Sequence, residues 1–105
     1  MVIKFRKNAI KFLEKADSED AARIREKLDR LQIFVEEQGM IPFTELDIKK
    51  MKGDWEGFYR LRIGNIRIVF LVDLESAEIE IYTIGAVEMF INNDSGSKFR
   101  RHPYP

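Results

Sequence analysis

Residues 52–73 read KGDWEGFYRLRIGNIRIVFLVD, and their reading decides the fold. Gly64-Asn65 stands between two apolar, alternating runs, which is the pattern of a two-residue hairpin loop. That loop sets the register: Ile63 opposite Ile66, Arg62 opposite Arg67, Leu61 opposite Ile68 and Arg60 opposite Val69. Side chains alternate faces along a strand. One face then carries Tyr59, Leu61, Ile63, Ile66, Ile68, Phe70 and Val72, and the other carries Phe58, Arg60, Arg62 and Arg67. Two arginines directly opposite each other repel. A sheet tolerates such a pair at lower cost when an anion lies over it, so the arginine face is a candidate anion-binding surface.

The remaining chain is organised around this hairpin. Val2 to Phe5 is β-prone and is expected to be a first strand. Asn8 is a candidate helix cap, followed by an apolar face of Ala9, Phe12, Leu13 and Ala16 at helical spacing. Asp17, with Asp20 three residues on, predicts a second helix start. That helix should run to about Gln38, with Ala21, Ile24, Leu28, Leu31, Phe34 and Val35 as its apolar stripe and Gly39 ending it. Glu19–Arg23 and Glu26–Arg30 are spaced to pair on its wet side. Thr44 to Met51 is expected to be a strand with Leu46 and Ile48 inward and Asp47, Lys49 and Met51 outward. Glu78 to Ile84 is another, with Ile79, Ile81 and Thr83 inward. A four-residue loop would pair Asp73 with Glu78 and Arg67 with Ile84. Ala86 to Ile91 reads as a short helix or irregular segment. Residues 92–105 form a polar tail with Gly, Ser and Pro, expected to be flexible. The expected class is α+β: an N-terminal strand and a helical hairpin packed on one face of a twisted antiparallel sheet, in one domain over 1–91.

Composition removes several kinds of function. Eighteen basic residues balance eighteen acidic ones, so net charge carries no message about nucleic acid. Distribution does. Between Lys49 and Arg67 stand Lys49, Lys50, Lys52, Arg60, Arg62 and Arg67 against only Asp54 and Glu56. With no cysteine and a single histidine, His102, thiolate metal sites, thiol catalysis and multi-histidine metal sites are excluded, and no cofactor is expected. No apolar run is long enough for a membrane span and no signal segment is visible, so a cytoplasmic protein without a membrane partner is expected.

Lys52-Gly53, Tyr59-Arg60-Leu61-Arg62, Gly64-Asn65 and Ile66-Arg67-Ile68-Val69-Phe70 together resemble the signature of the RelE/ParE toxin superfamily of type II toxin–antitoxin systems. The order of strand, two helices and a meander of strands matches over about residues 1 to 85. The resemblance implies a RelE-like fold and, in the RelE branch, metal-independent cleavage of mRNA in the ribosomal A site by attack of a 2′-hydroxyl on the adjacent phosphate. Such chemistry needs a base, cations around the phosphate and an acid for the leaving oxygen. By position, the resemblance assigns Arg67 and Arg60 to the phosphate as catalytic residues. Arg62, Lys49, Lys50 and Lys52 are candidate RNA or phosphate contacts. A cognate antitoxin and mRNA on the ribosome are the implied partners.

This chain departs from the pattern after its last strand. Gly85 is followed by Ala86-Val87-Glu88, where catalytically active RelE proteins carry basic residues, and Asn92-Asn93 stand near the family's tyrosine. The missing side-chain types occur in the tail as Arg100, Arg101, His102 and Tyr104. If the tail folds back, His102 becomes a candidate catalytic group and Arg100 and Arg101 candidate phosphate contacts. A ParE-like poison of DNA gyrase, or a non-catalytic binding member of the fold, fits a chain without those downstream groups.

Plainer roles compete for the same residues. The arginines could pair with Asp73, Glu78 and Glu80 on their own face, and the lysine run could protect a sheet edge. Trp55 is either a lid on the core or a partner contact. Val69, Leu71 and Ile84 fall on the arginine face in this register, as an apolar groove would.

Overall fold

The computed structural model describes residues 1–86. In chain order the elements are β1 (Val2–Phe5), α1 (Lys7–Lys15), α2 (Ser18–Gln38), β2 (Ile48–Lys50), β3 (Tyr59–Ile63), β4 (Ile66–Asp73) and β5 (Glu78–Ala86), with a 3₁₀ turn at Gly53–Trp55. The strands form one sheet in the order β1-β5-β4-β3-β2. β1 joins β5 in parallel, and every other pairing is antiparallel.

The hairpin forms as the sequence requires, with Ile63 opposite Ile66, Arg62 opposite Arg67, Leu61 opposite Ile68 and Arg60 opposite Val69. Gly64 has φ 59°, and Asn65 is outside the positive-φ region. A positive first central residue followed by a negative one is the II′ pattern, whose twist matches that of the flanking strands. The Arg23 guanidinium of α2 lies where a Cβ on residue 64 would stand.

The helices start and stop for local reasons. The Asp17 carboxylate accepts from the Asp20 N–H at 2.8 Å, and Gly39 ends α2 at φ 70° with its N–H on the Val35 carbonyl. Arg6, not Asn8, precedes α1. The Arg6 N–H still bonds the Ile81 carbonyl across the sheet, so the chain turns from strand to helix with no residue to spare. Arg23 pairs with Asp20 at 3.4 Å rather than with Glu19.

One sheet face meets the helices. Ala9, Ile24, Leu28, Leu31 and Val35 pack with Leu61, Ile63, Ile66, Ile68, Phe70, Ile79 and Ile81 in a continuous core. Fully burying each such aliphatic side chain contributes about 1.5–3 kcal/mol.

Two strand expectations are also corrected. The strand over Thr44–Met51 shrinks to Ile48–Lys50, because the Leu46 N–H closes a turn onto the Pro42 carbonyl at 3.1 Å. Leu46 and Ile48 are nevertheless buried, as the alternation required. The second correction is a β-bulge. Asp73 pairs with Glu78 as expected and Phe70 with Ile81, but Val69 pairs with Thr83, leaving Tyr82 as an extra residue on β5. From there the facing of β5 inverts: Ile84, opposite Ile68, enters the helical core, and Arg67 lies opposite Gly85. A single bulge reverses which side of the sheet the rest of a strand addresses. The Ala86–Ile91 segment and the 92–105 tail lie outside the described residues, apart from Ala86, which ends β5.

Gly64→Ala should destabilise by about 1–2 kcal/mol, the cost of a left-handed conformation for an L-residue, seen as a lower urea midpoint. Arg23→Ala in that background should restore little, since the flexible arginine end can move aside. Asp73 should shape the acid limb of stability. Its Oδ1 accepts from the Glu75 N–H at 3.0 Å and the Ser76 N–H at 3.2 Å. Ser76 above all holds the carboxyl below its ordinary value. A depressed folded pKa gives stability that is present above the unfolded value, about 3.9, and is lost as pH falls through the folded one. The stability advantage of wild type over Asp73→Asn should therefore shrink in thermal melts taken from pH 5 downward.

Candidate nucleic-acid interface

The helices leave the other sheet face uncovered, and the register assembles a cationic band there. Across β3, β4 and β5 one row runs Arg62, Arg67, Gly85. The next row on the same face runs Lys49, Arg60, Val69, Thr83, from β2 to β5. Directly opposed side chains on neighbouring strands have Cβ atoms about 5 Å apart, so the three guanidiniums and the Lys49 ammonium share one small surface.

Their neutralisation is uneven. Asp47, just before β2, accepts from Arg62 Nε at 3.0 Å and lies 3.6 Å from Arg60 Nη2. Arg67 has no ion pair among the described residues. The Nε atoms of Arg60 and Arg67 are buried without an acceptor. Burial first, and then the neighbouring Arg67 charge, pull Arg60 below the ordinary arginine value, with Asp47 opposing them. An arginine keeps its proton in spite of such a shift. A buried donor left without an acceptor carries a desolvation cost of about 1–3 kcal/mol, so among the described residues this face is short of negative charge and of acceptor oxygens.

The acids expected to quench it are engaged elsewhere. Because β1 docks beside β5, Glu78 pairs with Lys4 at 2.9 Å and Glu80 with Arg6 at 2.7 Å. Between these pairs and the arginines lies an aromatic cluster. Trp55 and Val69 are buried there, with Met51, Phe58 and Tyr82 packed around them. The Phe58 ring stands nearly perpendicular to both neighbours, its centre 5.2 Å from that of Trp55 and 4.7 Å from that of Tyr82. Arg6 lies over the Tyr82 ring at 4.9 Å. The bulge that re-aims β5 thus also supplies Tyr82 to this face.

Of the residues singled out from sequence, Arg60, Arg62, Arg67 and Lys49 come together. Lys50 does not join them: it pairs with Tyr59 and belongs to the opposite face at the sheet edge. Lys52 is exposed ahead of the 3₁₀ turn, and with Lys50 it borders a hollow of about 490 Å³ floored by Met51, Phe58 and Tyr59. Arg100, Arg101 and His102 lie outside the described residues. The groove expected from Val69, Leu71 and Ile84 does not form, since Val69 is covered by the aromatic cluster and Ile84 faces the core. Trp55 is a packing residue. Asp47 carries no local signal that marks it as a site residue. Aligning Ile48 with Leu61 would have put it beside Arg62, but no tight turn fixes that register.

The family model of the ParE toxin of type II toxin–antitoxin systems (parDE) matches residues 3–89. This chain belongs to that family, and is a type II toxin of the RelE/ParE superfamily. Solved structures share its fold. The archaeal RelE–RelB complex of Pyrococcus horikoshii OT3 matches at TM-score 0.63 and 24% identity, over 81% of this chain and 92% of that one. The YoeB/ParE toxin of Agrobacterium tumefaciens matches at TM-score 0.64 and 18% identity, over 82% and 98%. The intact RelBE toxin–antitoxin complex of E. coli matches at TM-score 0.60 and 21% identity, over 81% and 94%. Comparison with curated proteins finds no match.

Trp55→Ala should cost about 3–5 kcal/mol, as for other buried aromatics, measured by urea unfolding. In wild type, fluorescence from this single tryptophan should shift to longer wavelength on unfolding.

Proposed function

We propose that this toxin is a ribosome-dependent mRNA endoribonuclease whose arginine face seats the scissile phosphodiester. The observation that supports this most is the direct pairing of Arg62 with Arg67, beside Arg60 and Lys49, with the Asp47 carboxylate against Arg60 and Arg62. In the reaction the ribose 2′-oxygen attacks phosphorus, the bond to the 5′-oxygen of the next nucleotide breaks, and a 2′,3′-cyclic phosphate and a 5′-hydroxyl result. Negative charge grows on the non-bridging oxygens, where Arg67 and Arg60 balance it. No metal is needed for that balance. Proton transfer falls to Lys49, in the row of Arg60, or to His102. The aromatic cluster gives bases an apolar surface beside the phosphate seat, with the partly exposed Phe58 ring two residues before Arg60. A cognate antitoxin is the protein partner of this reading, and no cofactor enters it. No helix among the described residues is long and apolar enough to cross a membrane.

A gyrase-poisoning activity is the second reading. The ParE family match favours it, and so does Ala86-Val87-Glu88 where the RNase branch carries basic residues.

Induced expression should arrest growth and yield mRNA fragments with 5′-hydroxyl ends mapping within codons on translating ribosomes. Arg67→Ala should lower cleavage by about 100-fold or more, the usual loss for one charge-stabilising donor, without changing the melting temperature by more than a few degrees. Growth arrest with DNA damage and intact transcripts would select the gyrase reading instead.

A further inference from the structure

Asp47 is fixed beside β3 by its backbone, since its carbonyl accepts the Arg62 N–H at 2.9 Å. Its side chain then reaches over the arginine face. Oδ2 accepts from Arg62 Nε at 3.0 Å, while Oδ1 stands 3.6 Å from Arg60 Nη2, an ion contact longer than a hydrogen bond. One carboxylate spans two arginines and leaves Arg67 with no acid among the described residues. The Asp47 carboxylate is nearly half exposed, so solvent and ligands reach it. Carboxylate and phosphate oxygens compete for the same guanidinium donors.

We propose that Asp47 is an internal counter-ion of the arginine face, holding in the free protein part of the seat that an RNA phosphate takes. The proposal rests on the RNA reading of that face, and makes Asp47 a specificity residue within it. A single small anion gains little by displacing the carboxylate, because Arg60 and Arg62 merely exchange one anion for another. A polyanion that also reaches Arg67 and Lys49 gains more than it displaces. Asp47 thereby suppresses weak occupancy by solution anions and lowers affinity for isolated RNA. The arginines stay poised for a strand delivered with several phosphates at once. Asp47→Asn tests this, because the amide oxygen can still accept from Arg62 Nε while the negative charge is gone.

The experiment titrates wild type, Asp47→Asn and Arg67→Ala with a fluorescent single-stranded RNA of about ten nucleotides by anisotropy, at 50 and 200 mM salt. In parallel, inorganic tripolyphosphate is titrated by thermal shift. Asp47→Asn is expected to bind both probes about 3- to 10-fold more tightly. Its RNA affinity should also fall more steeply with salt, by about one further phosphate contact (a slope change near 0.7 for a single strand). A merely structural role for Asp47 would move the melting temperature and leave that slope alone. Tripolyphosphate tightened by the variant, with RNA bound by neither protein, would uphold the counter-ion and remove the RNA reading. RNA bound by wild type and weakened by Arg67→Ala, but bound equally or more weakly by Asp47→Asn, would overturn the counter-ion and leave the RNA reading standing. Neither probe gaining affinity in Asp47→Asn would also overturn it.

Discussion

A two-residue turn holds β3 and β4 in a single register, and both faces of the sheet inherit their character from it. With Gly64 at positive φ and Ile63 opposite Ile66, every second residue along both strands is committed to the helices. The apolar members of that set fill the core against α2, and Arg23 of α2 closes over the turn itself. A slip of one residue would send the arginines into the core and the isoleucines into water. The desolvation cost of buried charge makes such a slip prohibitive. The same constraint that builds the core therefore concentrates positive charge on the opposite face.

That face is not relieved by the acids nearest in sequence. β1 adds to the sheet in parallel beside β5, and its Lys4 and Arg6 take Glu78 and Glu80. The aromatic cluster around Trp55 then separates these ion pairs from the arginines. What remains, among the described residues, is a band of Arg60, Arg62, Arg67 and Lys49 against the carboxylate of Asp47. Exposed ion pairs contribute only about 0–1 kcal/mol each, so fold stability gives little reason for three arginines to gather there. The phosphate ligand proposed for this face would supply that reason.

Much of the scaffold was legible in the residues because its signals are local. Asp17 capping α2, Gly39 ending it and Gly64 turning the hairpin each act within four or five residues of themselves. The arginine pairing was legible for the same reason, since it depends only on a two-residue loop. The site was less so. Asp47 reaches Arg62 across fifteen residues of chain, through a connection with no fixed geometry, and Lys50 looked equivalent to Lys49 until the pairing with β3 separated their faces.

The sequence by itself determined the hairpin register, the helix that covers it, the arginine-bearing face and the family likeness. All of these follow from short-range stereochemistry and from period-two alternation. Tertiary structure alone decided three things: the bulge at Tyr82, the parallel docking of β1 and the neutralisation of Arg60 and Arg62 by Asp47. Each depends on which strand lies beside which, and at what offset. The bulge sends Ile84 to the core and gives Tyr82 to the aromatic cluster, and β1 takes the glutamates of β5. An extra residue in a strand and a parallel neighbour distant in sequence leave no mark in local periodicity. They are selected by how the whole sheet twists and packs.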